Sequence, residues 1–176
     1  MTEHTGGDEK APIRVENIME LKMKLVEDDW NKAIIVDVDG TIATHYDKFG
    51  NQLREHHDYS QVVHDLPVWP IINLVKMYYE QDFAVLITTG RMDRPGTPSV
   101  REDTEYWLDF HKVPYDKLIM RRNRDFGPDN EAKKELYFKH IKDKYDVELV
   151  FDDRDRVVKM WRELGLRVLQ VAEGNF

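Results

Sequence analysis

The chain contains no cysteine among its 176 residues. Disulfide bonds, thiolate zinc sites and cysteine nucleophiles are therefore excluded. It also lacks any apolar run approaching the ~20 residues that a helix needs to span a bilayer. The first twelve residues are polar and lack the apolar segment of a signal peptide. These absences predict a cytoplasmic protein with no membrane association.

Acidic residues outnumber basic ones in this chain. It has 26 Lys and Arg residues against 34 Asp and Glu residues, for a net charge of −8. A general nucleic-acid coat protein would be basic, so this class is disfavoured. An enzyme that holds a few nucleotides through a local basic patch stays compatible with the charge. The length suits one domain with a sizeable core. We expect a disordered tail at 1–12 and a single folded domain at 13–176.

Apolar runs and amphipathic segments alternate along the chain, which is typical of an α/β fold with a mainly parallel sheet flanked by helices. The runs predict strands at 33–36, 83–87, 117–120, 147–151 and 166–171, and the amphipathic segments predict helices at 13–30, 67–81, 99–111, 129–145 and 155–164. The polar segment at 42–66 has no helical period and predicts a flap or small insertion. Its four histidines have no metal-ligand spacing, so we expect solvated loop histidines.

The first strand ends in Asp37-Val38-Asp39-Gly40-Thr41. Side chains alternate along a strand, so the two aspartates would share one face if the extended backbone continued. Two neighbouring carboxylates repel each other unless a cation joins them. A solvated acidic turn is the simpler interpretation of this motif, and the other strand ends must decide between the two.

Polar residues also follow the other predicted strands, whose carboxyl ends are where ligands bind in such sheets. They are Thr89 and Arg91, Arg121, and Asp152 and Asp153, with Lys133 at a helix start. Acids of this kind suit a hard cation such as Mg²⁺. One carboxylate could attack phosphorus while a second moves protons, and the hydroxyl and cations could bind phosphoryl oxygens.

Each of these residues also has a simpler explanation. Thr89 could belong to an ordinary turn and Lys133 could be a solvated helix lysine. Asp152 and Asp153 could cap the following helix, since acids favour helix N-termini. Arg121, Arg122 and Arg124 could together form an exposed basic turn. Their occurrence at successive strand ends favours the joint catalytic interpretation.

These motifs resemble the four motifs of the haloacid dehalogenase superfamily, over residues 33–176. The resemblance implies a Rossmann-like fold with a small cap or none, Mg²⁺ dependence and phosphoryl transfer through the first aspartate. A closer resemblance is to the 3′-phosphatase domains of phage polynucleotide kinase-phosphatases. It rests on the stretches at 87–91, 133–141, 151–154, 158–162 and 170–176.

The resemblance also implies a role for each site residue. Asp37 would be the nucleophile and Asp39 the general acid and base. Mg²⁺ would be held by Asp37, the main-chain carbonyl of Asp39 and Asp153, with Asp152 alongside. The phosphate would be bound by Thr89, Arg91, Arg121, Lys133 and Arg154. A serine of the family is replaced by Thr89, which keeps the hydroxyl.

The function implied is a Mg²⁺-dependent polynucleotide 3′-phosphatase that acts on DNA or RNA ends in end repair. The chain has no Gly-x-x-x-x-Gly-Lys-Ser/Thr phosphate loop, so we expect no 5′-kinase activity from it. The alternatives are a capless phosphatase of small esters such as nucleotides, and a catalytically silent module that grips phosphorylated ends. Nucleic-acid ends are the expected partner, a homodimer is possible, and a phage-encoded protein would act in the host cytoplasm.

Overall fold

The computed structural model describes residues 32–56 and 58–175. The tail expected at 1–12 and the helix predicted at 13–30 lie outside these residues. The strands are β1 Lys32–Val36, β2 Ala43–Thr44, β3 Leu66–Pro67, β4 Ala84–Met92, β5 Lys117–Arg121, β6 Asp146–Asp152 and β7 Val168–Gln170. The α-helices are α1 Trp69–Tyr79, α2 Val100–Phe110, α3 Asp129–His140 and α4 Asp155–Glu163, and a 3₁₀ helix spans Tyr59–His64.

Five strands form one parallel sheet in the order β5-β4-β1-β6-β7. The α/β fold class predicted from the sequence is confirmed. The first strand of the sequence lies in the middle, where Ile35 pairs with Leu86 on one side and with Val150 on the other. The carboxyl ends of β1, β4, β5 and β6 therefore open at one edge of the sheet, which is where ligands bind in such folds.

Side chains from both faces of the sheet are buried, which explains why β1 is apolar throughout. Ile34 and Val36 belong to the core that includes Trp107 of α2, whereas Ile35 belongs to the core that includes Trp161 of α4. Both tryptophans are almost completely buried. The two cores fix the central strand, and with it the motif that follows the strand.

Several elements differ in their bounds from the sequence-based prediction. The helix predicted at 129–145 ends at His140. The strand predicted at 83–87 continues to Met92, because the chain stays extended beside β5 with a register shift between Thr89 and Met92. The segment at 42–66 contains the antiparallel pair β2–β3 and the 3₁₀ helix, whose start is capped by Asp58. No helix in the described part of the chain is both long and apolar enough to cross a membrane.

Candidate active site

The turn after β1 fixes the backbone of the central motif. The Asp37 N–H donates to the Phe151 carbonyl at 3.0 Å, which continues the sheet by one residue. The chain then folds around the Val38 carbonyl. This oxygen accepts hydrogen bonds from the backbone N–H groups of residues 41, 42 and 43, at 3.2, 3.0 and 2.9 Å. Gly40 has φ +85°, and a Cβ atom there would lie 2.1 Å from Asp153 Oδ2. Only glycine allows this approach of the turn to β6.

Asp37 lies in a buried cluster with two acids from the end of β6. Lys133 Nζ lies 2.8 Å from Asp37 Oδ1 and 2.9 Å from Asp152 Oδ2. Asp152 also accepts the indole N–H of Trp161 at 3.2 Å and the Arg154 N–H at 3.3 Å. The predicted residues Asp37, Lys133 and Asp152 are therefore in contact, and Asp152 orients the lysine toward Asp37.

The electrostatics of this cluster show an excess of negative charge. Burial raises the pKa of Asp37 well above its usual range, and Asp152 and Asp153 raise it further against the effect of Lys133. Burial followed by the charge of Asp152 raises the pKa of Asp153 to about 6. Burial alone would lower the pKa of Lys133, but Asp152 and Asp37 raise it well above its usual range.

The same acids fit a divalent cation. One carboxylate oxygen from each of Asp37, Asp152 and Asp153 lies within 4.8 Å of the others, and all three residues are buried. Hard oxygen ligands of this kind suit Mg²⁺. A single lysine among three acids leaves net negative charge in the cluster, which a dication would neutralise.

The carboxylate of Asp39 has different partners. Arg91 donates to it from Nε and Nη2, both at 2.8 Å, and Arg54 donates from Nη2 at 2.9 Å. Asp65 lies behind these arginines and accepts from Arg54 at 2.7 Å and from Arg91 at 2.9 Å. The Asp65 carbonyl in turn accepts the Trp107 indole N–H at 2.8 Å, which ties the network to the core.

This network bears on the expectation that Asp37 and Asp39 would share one face if the extended backbone continued. The backbone does not stay extended through Gly40, so the two carboxylates meet different partners. Burial alone would raise the pKa of Asp39, but Arg91 and Arg54 hold it far below its usual range. Asp39 is therefore a carboxylate in this arrangement, and its side chain is not part of the acidic cluster.

Arg54 and Asp65 were missed in the sequence. Both are buried, but they lie in the irregular segment at 42–66 and belong to no recognisable motif. Their partners lie 11, 15 and 26 residues away along the chain. A single arginine within a polar, irregular segment gives no sequence signal that it forms buried ion pairs with distant aspartates.

Thr89 and Arg91 were predicted to bind phosphate, and both lie fully buried behind the cleft wall. The Thr89 hydroxyl accepts the Arg91 N–H at 3.2 Å, and the Arg91 guanidinium is engaged with Asp39, Asp65 and the Thr104 hydroxyl. Gly90, between them, does line the cleft. Direct phosphate contact by these two residues stays a prediction, and the geometry gives Arg91 a second task, which is to hold Asp39.

Arg121 and Arg154, also predicted to bind phosphate, both line the cleft. Arg121 is buried and donates to Asp125 at 3.2 Å and to the Gly127 carbonyl, so it does not form the exposed basic turn that was the simpler interpretation. Arg154 is the N-cap residue that precedes α4, lies 3.4 Å from Asp129 and contacts the His56 ring at 2.8 Å. Their contact with phosphate stays a prediction.

The cleft over these residues has a volume of about 750 Å³. Asp37, Asp39, Lys133 and Asp153 all line it. One wall is made by the segment at 42–66, including His45, which is buried and lies 5.4 Å from the His56 ring. The expectation of solvated loop histidines is wrong for His45, because the β2–β3 pair folds this segment over the site.

Comparison with known proteins identifies the family. The family model for the polynucleotide kinase PNKP phosphatase domain matches residues 31–176. The chain belongs to this family. The resemblance to haloacid dehalogenase phosphatases, and to polynucleotide kinase-phosphatases among them, is thereby confirmed, as is the classification of the chain as a phosphatase.

Solved structures with the same fold include chains from two complexes. A chain from "Structure of the Pnkp1/Rnl/Hen1 RNA repair complex" is 37% identical, with a TM-score of 0.74 over 84% of this chain and 44% of that one. A chain from "Structure of Pnkp1/Rnl/Hen1 complex" is 38% identical, with a TM-score of 0.74 over 83% of this chain and 47% of that one.

A viral relative comes from Autographa californica nuclear polyhedrosis virus and carries the assignment of bifunctional polynucleotide kinase/RNA ligase. The two are 30% identical over 144 residues, which is 80% of this chain but 19% of the viral protein. The chain therefore spans about a fifth of this relative and less than half of each structural relative.

Proposed function

We propose that this phosphatase removes 3′-terminal phosphates from DNA or RNA in nucleic-acid end repair, with Mg²⁺ as its cofactor. One observation carries the proposal. Asp37 lies 2.8 Å from a buried lysine at the floor of an open cleft, while Asp39, two residues later, is held separately by two arginines. The names of the relatives, which refer to polynucleotide kinases and RNA repair, support a polynucleotide end as the substrate.

In the first step, an Asp37 oxygen forms a bond to phosphorus as the bond from phosphorus to the 3′-oxygen breaks. The departing oxygen takes a proton from Asp39. In the second step, Asp39 takes a proton from water, which attacks the aspartyl phosphate and releases inorganic phosphate. The acid form of Asp39 requires that one arginine contact loosens when substrate enters, because both arginines together favour the carboxylate.

The residues that would hold Mg²⁺ are Asp37 and Asp153, with the Asp39 main-chain carbonyl and with Asp152 alongside. When bound, the cation would neutralise charge on the acids and polarise the phosphoryl oxygens. Lys133 contributes a fixed positive charge between Asp37 and Asp152. It is placed to bind a phosphoryl oxygen as charge develops there.

Cationic side chains of the cleft would receive the phosphate and the adjoining backbone. Lys133, Arg121 and Arg154 line the cleft and were predicted for this role. Arg91 would act mainly through Asp39, and the Thr89 hydroxyl would act through the hydrogen bond that it accepts from the Arg91 backbone N–H. We assign these roles because Lys133, Arg121 and Arg154 line the cleft, whereas Thr89 and Arg91 are buried and hydrogen-bonded to other protein groups.

A substrate comparison tests the proposal. Phosphate release is measured with Mg²⁺ on 3′-phosphorylated DNA and RNA oligonucleotides, nucleoside 3′-monophosphates and glycerol phosphate, using wild type and Asp37→Asn. We expect kcat/KM to favour an oligonucleotide over glycerol phosphate by about 5- to 150-fold, since one stacked base contributes ~1–3 kcal/mol. Asp37→Asn should abolish release from every substrate.

Two results would count against it. Turnover of small esters alone would make the chain a phosphatase of small molecules. Tight binding of 3′-phosphorylated ends without turnover would make it a binding module. The same assay with a 5′-hydroxyl oligonucleotide and ATP tests the expectation that the chain has no kinase activity.

A further inference from the structure

A large apolar ring lies exposed on the wall of the cleft. Phe126, in the loop between β5 and α3, is 78% exposed and lines the same cleft as Asp37 and Lys133. An exposed phenylalanine on a surface is common by itself. One that lines the same wide cleft as the candidate catalytic residues is positioned to contact what binds there.

The loop that carries Phe126 is stabilised by hydrogen bonds from Arg121. The guanidinium of Arg121, which is buried, donates to the Asp125 carboxylate at 3.2 Å and to the Gly127 carbonyl. Asp125 also accepts the Gly127 N–H at 3.1 Å. Both sequence neighbours of Phe126 are thus fixed by contacts around one buried arginine. Arg124 adopts φ +62° in the same turn. The exposed ring of Phe126 therefore belongs to a loop whose backbone is fixed by hydrogen bonds on both sides of it.

The cleft is larger than a phosphate group requires. Its volume of about 750 Å³ falls in the ~300–1,000 Å³ range of sites that enclose whole organic ligands. A phosphate at Lys133 therefore leaves room for the nucleoside that carries it. The cleft is also lined by Tyr46, which is 44% exposed, and by Arg94 and Arg156. Aromatic faces combined with cations are the usual means of holding a single strand.

We propose that Phe126 forms a subsite for a nucleobase at the 3′ end, where its ring stacks on the base whose sugar bears the phosphate. This inference rests on the proposed function, because it requires a nucleic-acid substrate. A stacked base accounts for both the exposure of the ring and the bracing of its loop. Stacking tolerates any base, so the subsite would favour 3′-phosphates that carry a base over small esters that lack one, without reading sequence.

The test compares Phe126→Ala and Phe126→Trp with wild type on two 3′-phosphorylated oligonucleotides, one ending in a normal nucleotide and one in an abasic nucleotide. The kcat/KM ratio of the normal to the abasic substrate should fall roughly 5- to 150-fold in Phe126→Ala. Phe126→Trp should retain the ratio. Phe110→Ala is the matched control, because Phe110 on α2 is 64% exposed and lies outside the cleft wall.

A second readout does not depend on turnover. An oligonucleotide with 2-aminopurine as its 3′-terminal base loses fluorescence when that base stacks. We expect quenching with Asp37→Asn and weaker quenching with Asp37→Asn/Phe126→Ala. If Phe126→Ala loses kcat/KM equally on the normal and abasic substrates, so that their ratio is unchanged, the proposed subsite is wrong. If wild type instead ignores both oligonucleotides and hydrolyses glycerol phosphate, the proposed function itself is wrong.

Discussion

Arg91 holds the carboxylate of Asp39 through two hydrogen bonds of 2.8 Å, one from Nε and one from Nη2. Two parallel donors fix the orientation of a carboxylate as well as its charge. Arg54 adds a third donor to the same carboxylate at 2.9 Å, and Asp65 joins both arginines from behind. The aspartate proposed to move protons therefore lies in a preset orientation before any substrate binds.

Arg54 is expected to matter for both stability and turnover. Arg54→Ala leaves Asp65 and Asp39 with one arginine between them, and removing one partner of a buried ion pair typically costs ~3–5 kcal/mol. We expect a lower urea midpoint and a clear loss in kcat. Arg122→Ala is the control, because its pair with Glu135 is exposed and such pairs contribute ~0–1 kcal/mol. Equal effects of the two substitutions would contradict the network.

Gly40 and Gly50 form a matched pair of glycines. Both have positive φ, +85° and +84°, but a Cβ atom at Gly40 would lie 2.1 Å from Asp153 Oδ2, whereas at Gly50 it meets nothing within 4 Å. Alanine should cost about 1–2 kcal/mol of backbone strain at either position. Only Gly40→Ala displaces Asp153, so we expect it alone to lose about 100-fold or more in kcat. Denaturation and steady-state kinetics of both variants separate these effects.

Among the residues that the structure describes, Lys133 is the lysine in contact with Asp37. We expect Lys133→Met to lower kcat by about 100- to 1,000-fold, because a preorganised charge next to the phosphoryl group is lost. The control is Lys139→Met, because Lys139 lies at an exposed position on the same helix. This substitution should leave the rate near wild type. Single-turnover rates decide the comparison. A wild-type rate in Lys133→Met would return that residue to a purely structural role.

Mg²⁺ should stabilise the folded protein through the acidic cluster. A ligand at 100 times its Kd stabilises by ~2.7 kcal/mol, which corresponds to roughly 5–10 °C in Tm for a chain of this size. Asp153→Asn should lose most of this shift because it removes one carboxylate of the cluster. Asp146→Asn, at the exposed opposite end of β6, should keep it. A shift of equal size in both variants would place the cation elsewhere.

The order of the elements and the grouping of acids at the sheet edge could be predicted because both depend on local signals. Runs such as Ile34 to Val36 mark buried strands, and residues that follow parallel strands must meet at one edge. The motif residues Asp37, Lys133 and Asp152 accordingly come into contact. Three-dimensional proximity followed from topology, without any knowledge of side-chain rotamers.

The partners of individual side chains could not be predicted in the same way. Arg91 and Asp39 are 52 residues apart, and Arg54 reaches both Asp39 and Asp65 from an irregular segment. Whether an arginine faces a phosphate or a carboxylate depends on how that segment folds over the strand ends. Composition and periodicity carry no information about this folding, so the structural roles of Arg54 and Arg121 are visible only in the three-dimensional structure.

The most direct test of the central claim is to locate the phosphoryl group during turnover. A 3′-³²P-phosphorylated oligonucleotide is mixed with the enzyme and Mg²⁺, quenched with acid within one turnover, and the protein is digested and mapped. We expect label on the peptide that carries Asp37, and none in Asp37→Asn, which should also release no phosphate. Label on another residue, or phosphate release by Asp37→Asn at the wild-type rate, would contradict the assignment of Asp37 as the nucleophile.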